Sequence, residues 1–238
     1  MYKVSFEINV SQISSSSDLK DLLENNLKYV SFGSYNNALI IVAILVGLIG
    51  QGVRILVAGF VPKDTSGRNT KEQKANTLNT KGFYSTCRNP LYLGNFLMML
   101  APVILVGNWI FILCFILAFW LYYERIIYAE EVFLSQKFGK DYEEWAKSTP
   151  CFIPSFKNFV KSDMTFSTKS MIKREYHSLF GLASSLFIIH YIIIAITLDF
   201  KMLTPNYILS AFFIICFIIY VICRILVKKT NILFTEDR

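Results

Sequence analysis

Five stretches of this chain are almost free of charge, and their lengths decide what it can fold into. Residues 38–60 hold only Arg54, while 91–106, 109–123, 179–198 and 207–223 hold no Asp, Glu, Lys or Arg. A helix rises ~1.5 Å per residue, so ~20 apolar residues cross the ~30 Å hydrocarbon layer of a bilayer. The 109–123 stretch runs on past the single pair Glu124-Arg125 to Tyr128. The shortest stretch, 91–106, spans if Tyr92 and Asn108 sit at the two interfaces or if the bilayer thins around it. The apolar residues come in blocks and not in amphipathic stripes, and at 54% of the 238 residues they exceed what a soluble domain of this size carries. The expected fold is all-α: a polytopic membrane helix bundle of about five transmembrane helices.

Charge placement orients the bundle. Lys63, Arg68, Lys71, Lys74, Lys81 and Arg88 lie between the first two stretches, and Lys137, Lys140, Lys147, Lys157, Lys161, Lys169, Lys173 and Arg174 follow the third. Arg224, Lys228, Lys229 and Arg238 close the chain, whereas the Gly107-Asn108 turn has no cation and 199–206 has only Lys201. Basic residues in short loops stay cytoplasmic, so the N-terminus is expected outside and the C-terminus in the cytoplasm. The net charge of +7 is then a membrane-topology signal and does not call for nucleic acid. Residues 1–37 read as an extracytoplasmic segment without the basic-then-apolar pattern of a cleaved signal. A core at 38–160, a polar linker at 161–178 and a C-terminal helix pair with a basic tail at 179–238 complete the expected organisation. Cys87, Cys114, Cys151, Cys216 and Cys223 form no CxxC pair, so neither a disulfide nor a metal site is expected.

The Gly107-Asn108 turn folds the second and third stretches into a hairpin and brings two polar segments to one cytoplasmic rim. The first contains Arg88-Asn89-Pro90. Asn is a good helix cap and Pro suits the first turn. A helix start beside Arg88 attracts an anion such as a carboxylate, although a plain cap explains the same residues. Gly94 allows close approach to the helix backbone, with small-residue packing as the ordinary alternative. The second segment contains Glu130-Glu131 at the C-terminal end of a membrane helix. Such ends favour cations, so paired acids there suit a bound ammonium, sulfonium or metal, unless they form a solvated helix end. Counted from the turn with straight helices, the acids are expected ~10 Å beyond Tyr92, leaving a gap for an elongated zwitterion. Arg54 is expected to snorkel toward the interface, with an acidic substrate as its alternative partner. His190 is expected to be a hydrogen-bonded packing residue.

Taken in order, these pieces resemble the isoprenylcysteine carboxyl methyltransferase and phospholipid methyltransferase superfamily. Its signature runs G-x-Y, R-H-P-x-Y-x-G, a helical hairpin, E-E and F-G-x-x-Y. This chain has Gly82-Phe83-Tyr84, Arg88-Asn89-Pro90-Leu91-Tyr92-Leu93-Gly94, Glu130-Glu131 and Phe138-Gly139-Lys140-Asp141-Tyr142, followed by Cys151-Phe152-Ile153-Pro154 where the family has a closing loop. The resemblance covers roughly 38–154. It implies an S-adenosylmethionine site at the cytoplasmic rim formed by Asn76, Thr77, Leu78, Asn79, Tyr84, Asn89, Pro90, Leu91, Tyr92, Gly94 and Glu130. Arg88, Glu130 and Glu131 are the candidate catalytic groups. The signature His is Asn89 here, which cannot serve as a general base. The substrate-handling Arg of the isoprenylcysteine enzymes, four residues before the first acid, falls on Ile126.

The implied activity is methyl transfer from S-adenosylmethionine to a lipid-like or lipid-anchored acceptor, a carboxylate or an amine, entering from the bilayer. A bacterial inner membrane and the endoplasmic reticulum both fit. The alternatives are a nicotinamide-dependent membrane reductase of the sterol type and a non-catalytic protein retaining the fold.

Overall fold

The structure is a computed structural model that describes residues 37–62, 75–197, 206–230 and 232–233. The expected N-terminal segment lies outside the described residues up to 36, as do Lys63, Arg68, Lys71, Lys74 and Lys201. Helix α1 is Asn37–Phe60, and a short 3-10 turn at Gly82–Ser85 leads into α2, Pro90–Leu105. Then follow α3 (Trp109–Phe138), α4 (Lys140–Ser148), α5 (Thr168–Thr197) and α6 (Tyr207–Lys229). The described residues contain no strand.

Four helices, α1, α3, α5 and α6, are long and apolar enough to cross a membrane. This is an integral, multi-pass membrane protein. Helix α2, with 16 residues, reaches only ~24 Å, short of the hydrocarbon thickness. Helices α3, α5 and α6 outrun their apolar stretches because a helix continues into water until something breaks it. For α3 that breaker is Gly139, at φ +54°, whose N–H closes back on the Ser135 carbonyl at 2.8 Å. Helix α5 starts at Thr168, inside the stretch read as a linker from the sequence.

The bundle core joins Ile40 and Ala43 of α1, Ala101 and Leu105 of α2, Leu182 and Leu186 of α5, and Leu209 of α6. Helices α1 and α2 pack most extensively. A Cβ on Gly50 would stand 2.7 Å from the Gly94 carbonyl oxygen, so these backbones approach as only glycine permits. Helix α3 stands apart from this core. Of its 30 residues only Phe119 and Ile127 are buried. An aromatic column attaches it to α2: Phe96 meets Phe119 at 5.0 Å between centroids, Phe119 stacks on Tyr123 at 4.0 Å, and Tyr123 meets Tyr92 at 5.2 Å.

Arg54 corrects its sequence-based expectation. It does not snorkel: it is buried where α1, α2 and α5 meet. Its Nε and Nη2 donate to the two carboxylate oxygens of Glu175 on α5, at 2.8 and 2.9 Å. Nη2 also donates to Ser178 Oγ at 3.3 Å, Nη1 to Asn95 Oδ1 on α2, and Gln51 Nε2 reaches Glu175 at 3.2 Å. In an apolar surround a guanidinium is retained only with a counter-charge and a full set of acceptors.

Candidate functional site

The 3-10 turn, the start of α2, the end of α3, α4 and the segment after it are laced together at one rim. The Arg88 and Asn89 amides donate to the Pro150 and Cys151 carbonyls at 2.8 and 3.2 Å, and Ser155 donates to the Thr86 carbonyl at 2.9 Å. Trp145 of α4 donates its indole N–H to the Tyr84 carbonyl at 3.3 Å. Phe152 caps the aromatic column, 6.1 Å from Phe96 and 5.6 Å from Trp120. The segment 150–155 thus runs beside 86–89 and covers the α2–α3 contact.

Within this rim Arg88 forms a two-pronged pair with Glu131, Nε to Oε1 at 2.9 Å and Nη2 to Oε2 at 3.2 Å. Its third nitrogen donates to the carbonyls of Ala146 and Thr149 at 2.8 and 3.2 Å. Four of the five Arg88 N–H groups are therefore engaged. Burial alone would lower its pKa, but the hydrogen bonds and charge of Glu131 outweigh that and raise it. Asn89 does not cap α2 through its side chain. Its amide donates to the Cys151 carbonyl at 3.1 Å and toward Glu131 Oε1 at 3.4 Å, because a carboxylate and a carbonyl converge on it. Side-chain caps are found instead at Asn108, which accepts from the Ile110 and Phe111 amides, and at Asn206.

Glu130 has different company. Tyr92 donates its phenol to Glu130 Oε2 at 2.8 Å, and no other hydrogen-bonding side chain meets Glu130 among the described residues. Tyr92 and Glu130 are thus in direct contact, and the gap of ~10 Å expected between them is absent. A straight-helix count measures backbone offset and ignores how far a phenol and a carboxylate reach.

Burial and then the charge of Glu131 push the Tyr142 phenol up to about 12, and the same causes raise the Cys151 thiol. Burial raises the Cys87 thiol to about 11, so it stays protonated and inert near neutrality.

The structure brings together Arg88, Asn89, Tyr92, Glu130 and Glu131. Pro90 and Gly94 are buried in the first turns of α2 and Leu91 is half-buried there; a Cβ on Gly94 would stand 2.6 Å from Arg54 Cγ. Leu78, Asn79 and Tyr84 lie elsewhere, lining a cleft of ≈190 Å³ with the end of α1 and 162–164. Neither acid lines that cleft. Asn76 and Thr77 are exposed beside it. Among the described residues no group of three or more His, Cys, Asp or Glu could hold a metal ion. Sequence reasoning missed Glu175, Asn95, Trp145 and Cys151 as supports. A signal for the first existed: Arg54 is the one charge in its apolar stretch and demands an acid somewhere. His190 also departs from expectation. It is buried, and neither ring nitrogen has a partner among the described residues.

Residues 38–141 match the phospholipid methyltransferase family. The chain is 36% identical over 85 residues to the protein-S-isoprenylcysteine O-methyltransferase of Schizosaccharomyces pombe, covering 36% of each chain. It is 34% identical over 113 residues to the Dictyostelium discoideum protein of that name, covering 45% of this chain and 46% of the other. Over residues 38–141 the chain is thus similar to the isoprenylcysteine and phospholipid methyltransferases.

The matched region contains every site residue named above from Asn76 to Glu131, whereas Glu175 lies beyond it. The chain is also 39% identical over 82 residues to the cobalt-zinc-cadmium resistance protein CzcN of Cupriavidus metallidurans, covering 34% of this chain and 38% of that one. The matches to these three relatives span between about a third and a half of the relatives' length. No solved structure matches the chain.

Proposed function

We propose that this protein is an integral membrane methyltransferase that moves a methyl group from S-adenosylmethionine to a lipid-like or lipid-anchored acceptor, a carboxylate or an amine. The observation that carries the reading is the unequal use of the two acids. Glu131 is taken up by Arg88, while among the described residues Glu130 has only the phenol of Tyr92. The donor chemistry fits the cofactor: a half-buried carboxylate steadied by one phenol, at a rim walled by aromatic rings, suits an ammonium or sulfonium. The superfamily match over 38–141 and the methyltransferase names of the relatives support the same reading.

In this proposal Glu130 and Tyr92 hold the cationic part of the cofactor. Arg88, Asn89 and Glu131 position the rim, and Leu78, Asn79 and Tyr84 contact the far part of the cofactor from their cleft. Bound S-adenosylmethionine supplies an electrophilic methyl on a positively charged sulfur. The chain's share is alignment and the exclusion of water, tasks for 150–155 and Phe152. A carboxylate acceptor needs no base near neutral pH. An amine acceptor must lose a proton, which Asn89 cannot accept.

We further infer five spans, with α2 as the short one, an outer N-terminus and a cytoplasmic site. The Lys and Arg distribution supports that orientation. The division into a methyltransferase core at 38–160 and a C-terminal pair belongs to the same proposal. Calorimetry on the purified protein tests it: S-adenosylmethionine should bind, and Glu130→Ala should weaken that binding by about tenfold or more. Binding of NADPH in its place would overturn the reading. Labelled methyl transfer into a total membrane extract identifies the acceptor class.

A further inference from the structure

The matched region ends at 141, yet the one buried guanidinium among its described residues finds its counter-charge on a helix beyond that limit. Among the described residues Glu175 is the only carboxylate paired with Arg54, and both side chains are about nine-tenths buried or more, at 11% and 6% exposure. Arg54 also touches α2 at two successive residues. Its aliphatic stem lies where a Cβ on Gly94 would go, and its Nη1 donates to Asn95 Oδ1. Asn95 sits three residues after Tyr92, one turn further along α2. An unbroken line of contacts therefore runs from Glu175 through Arg54 to the turn of α2 that presents Tyr92 to Glu130.

We propose that Glu175 is a positioning residue for the methyl-transfer site, so that the α5–α6 pair is a working part of the site and not an appended anchor. The inference rests on the proposed function for what the site does, but its physical content is independent. A buried guanidinium without its carboxylate must find water or another acceptor. In this proposal Arg54 does so by withdrawing its head from Asn95 and its stem from Gly94. The first turns of α2 then lose a side-chain hydrogen bond and a close packing contact together. Tyr92 is the residue there whose placement matters, because its phenol steadies Glu130.

The test is hydrogen exchange on the full chain in lipid nanodiscs, read over 90–97, alongside methyl transfer. In Glu175→Gln, exchange over 90–97 should rise severalfold and transfer should fall about tenfold or more. Asn95→Leu, which leaves the Arg54–Glu175 pair intact, should loosen 90–97 equally while α5 keeps its protection; it also decides the matter if Glu175→Gln does not fold. The double variant Arg54→Met with Glu175→Leu should recover the thermal midpoint without recovering protection over 90–97 or transfer. If it recovers all three, or if Glu175→Gln loosens α5 and leaves 90–97 unchanged, the pair is only packing and the proposal fails. If the unmodified protein neither binds nor uses S-adenosylmethionine, the functional reading fails, while the exchange results still decide the role of Glu175.

Discussion

Arg54–Glu175 and Arg88–Glu131 are the same chemical pair placed in two surroundings. The first lies inside the bundle, with three helices closing over it and Gln51, Asn95 and Ser178 taking up remaining polar capacity. The second lies at the rim, with side chains 18% and 25% exposed, and two backbone carbonyls complete it. The enclosed pair ties two helices through residues 121 positions apart. The rim pair ties a loop to a helix end, and beside it stands an acid with capacity to spare. Both pairs consume a carboxylate, so neither is itself a place for a ligand. The rim differs because Glu131, by satisfying Arg88, leaves Glu130 for something else.

That contrast predicts a graded set of losses. The largest belongs to the enclosed pair: Arg54→Ala leaves Glu175 buried and unpaired and should cost about 3–5 kcal/mol of stability. Denaturation in detergent measures this, and a loss under ~1 kcal/mol would show that water reaches Glu175. Next comes Glu130→Ala, with little effect on stability but a loss of about 1.5–3 kcal/mol in cofactor binding, the usual worth of a hydrogen bond to a charged group. Equal losses of binding in Glu130→Ala and in a distant surface variant would remove Glu130 from the site. Tyr92→Phe should be milder, about 0.5–1.5 kcal/mol in the same titration, because it unsteadies Glu130 without removing it.

The smallest effect concerns pH. Burial and then the Glu131 charge raise the Cys151 thiol, so it holds its proton above the ordinary thiol range and maleimide should label it slowly at pH 8. In Glu131→Gln the charge contribution disappears, the pKa falls, the thiolate fraction rises, and labelling should quicken severalfold. Mass spectrometry of the peptide bearing Cys151 reads this, and slower labelling would mean that Arg88 no longer reaches the thiol.

Much of the fold was legible. The apolar stretch at 38–60 became α1, Asn37–Phe60, almost residue for residue, because composition changes sharply at both ends. Stretches 109–128 and 179–198 located α3 and α5 but not their water-side extensions to Phe138 and from Thr168. Hydropathy reports where lipid is, whereas a helix ends where its hydrogen bonding is interrupted. The motif order located the rim, and Arg88, Tyr92 and the paired acids do meet there. Asn89 misled because a good capping residue caps only when nothing stronger competes for its amide, and here Glu131 and the Cys151 carbonyl do.

The sequence alone determined that the chain is helical and built for a membrane, and that Arg88, Tyr92 and the paired acids would meet at one rim, though not that Leu78, Asn79 and Tyr84 would line a separate cleft. Those properties follow from local length, charge and spacing. Tertiary structure alone decided which acid each arginine takes, which of the two adjacent glutamates stays available, and that α5 joins the core through Glu175. Partner choice among like charges depends on which helices come into contact, and that is settled by packing between residues more than a hundred positions apart in the chain.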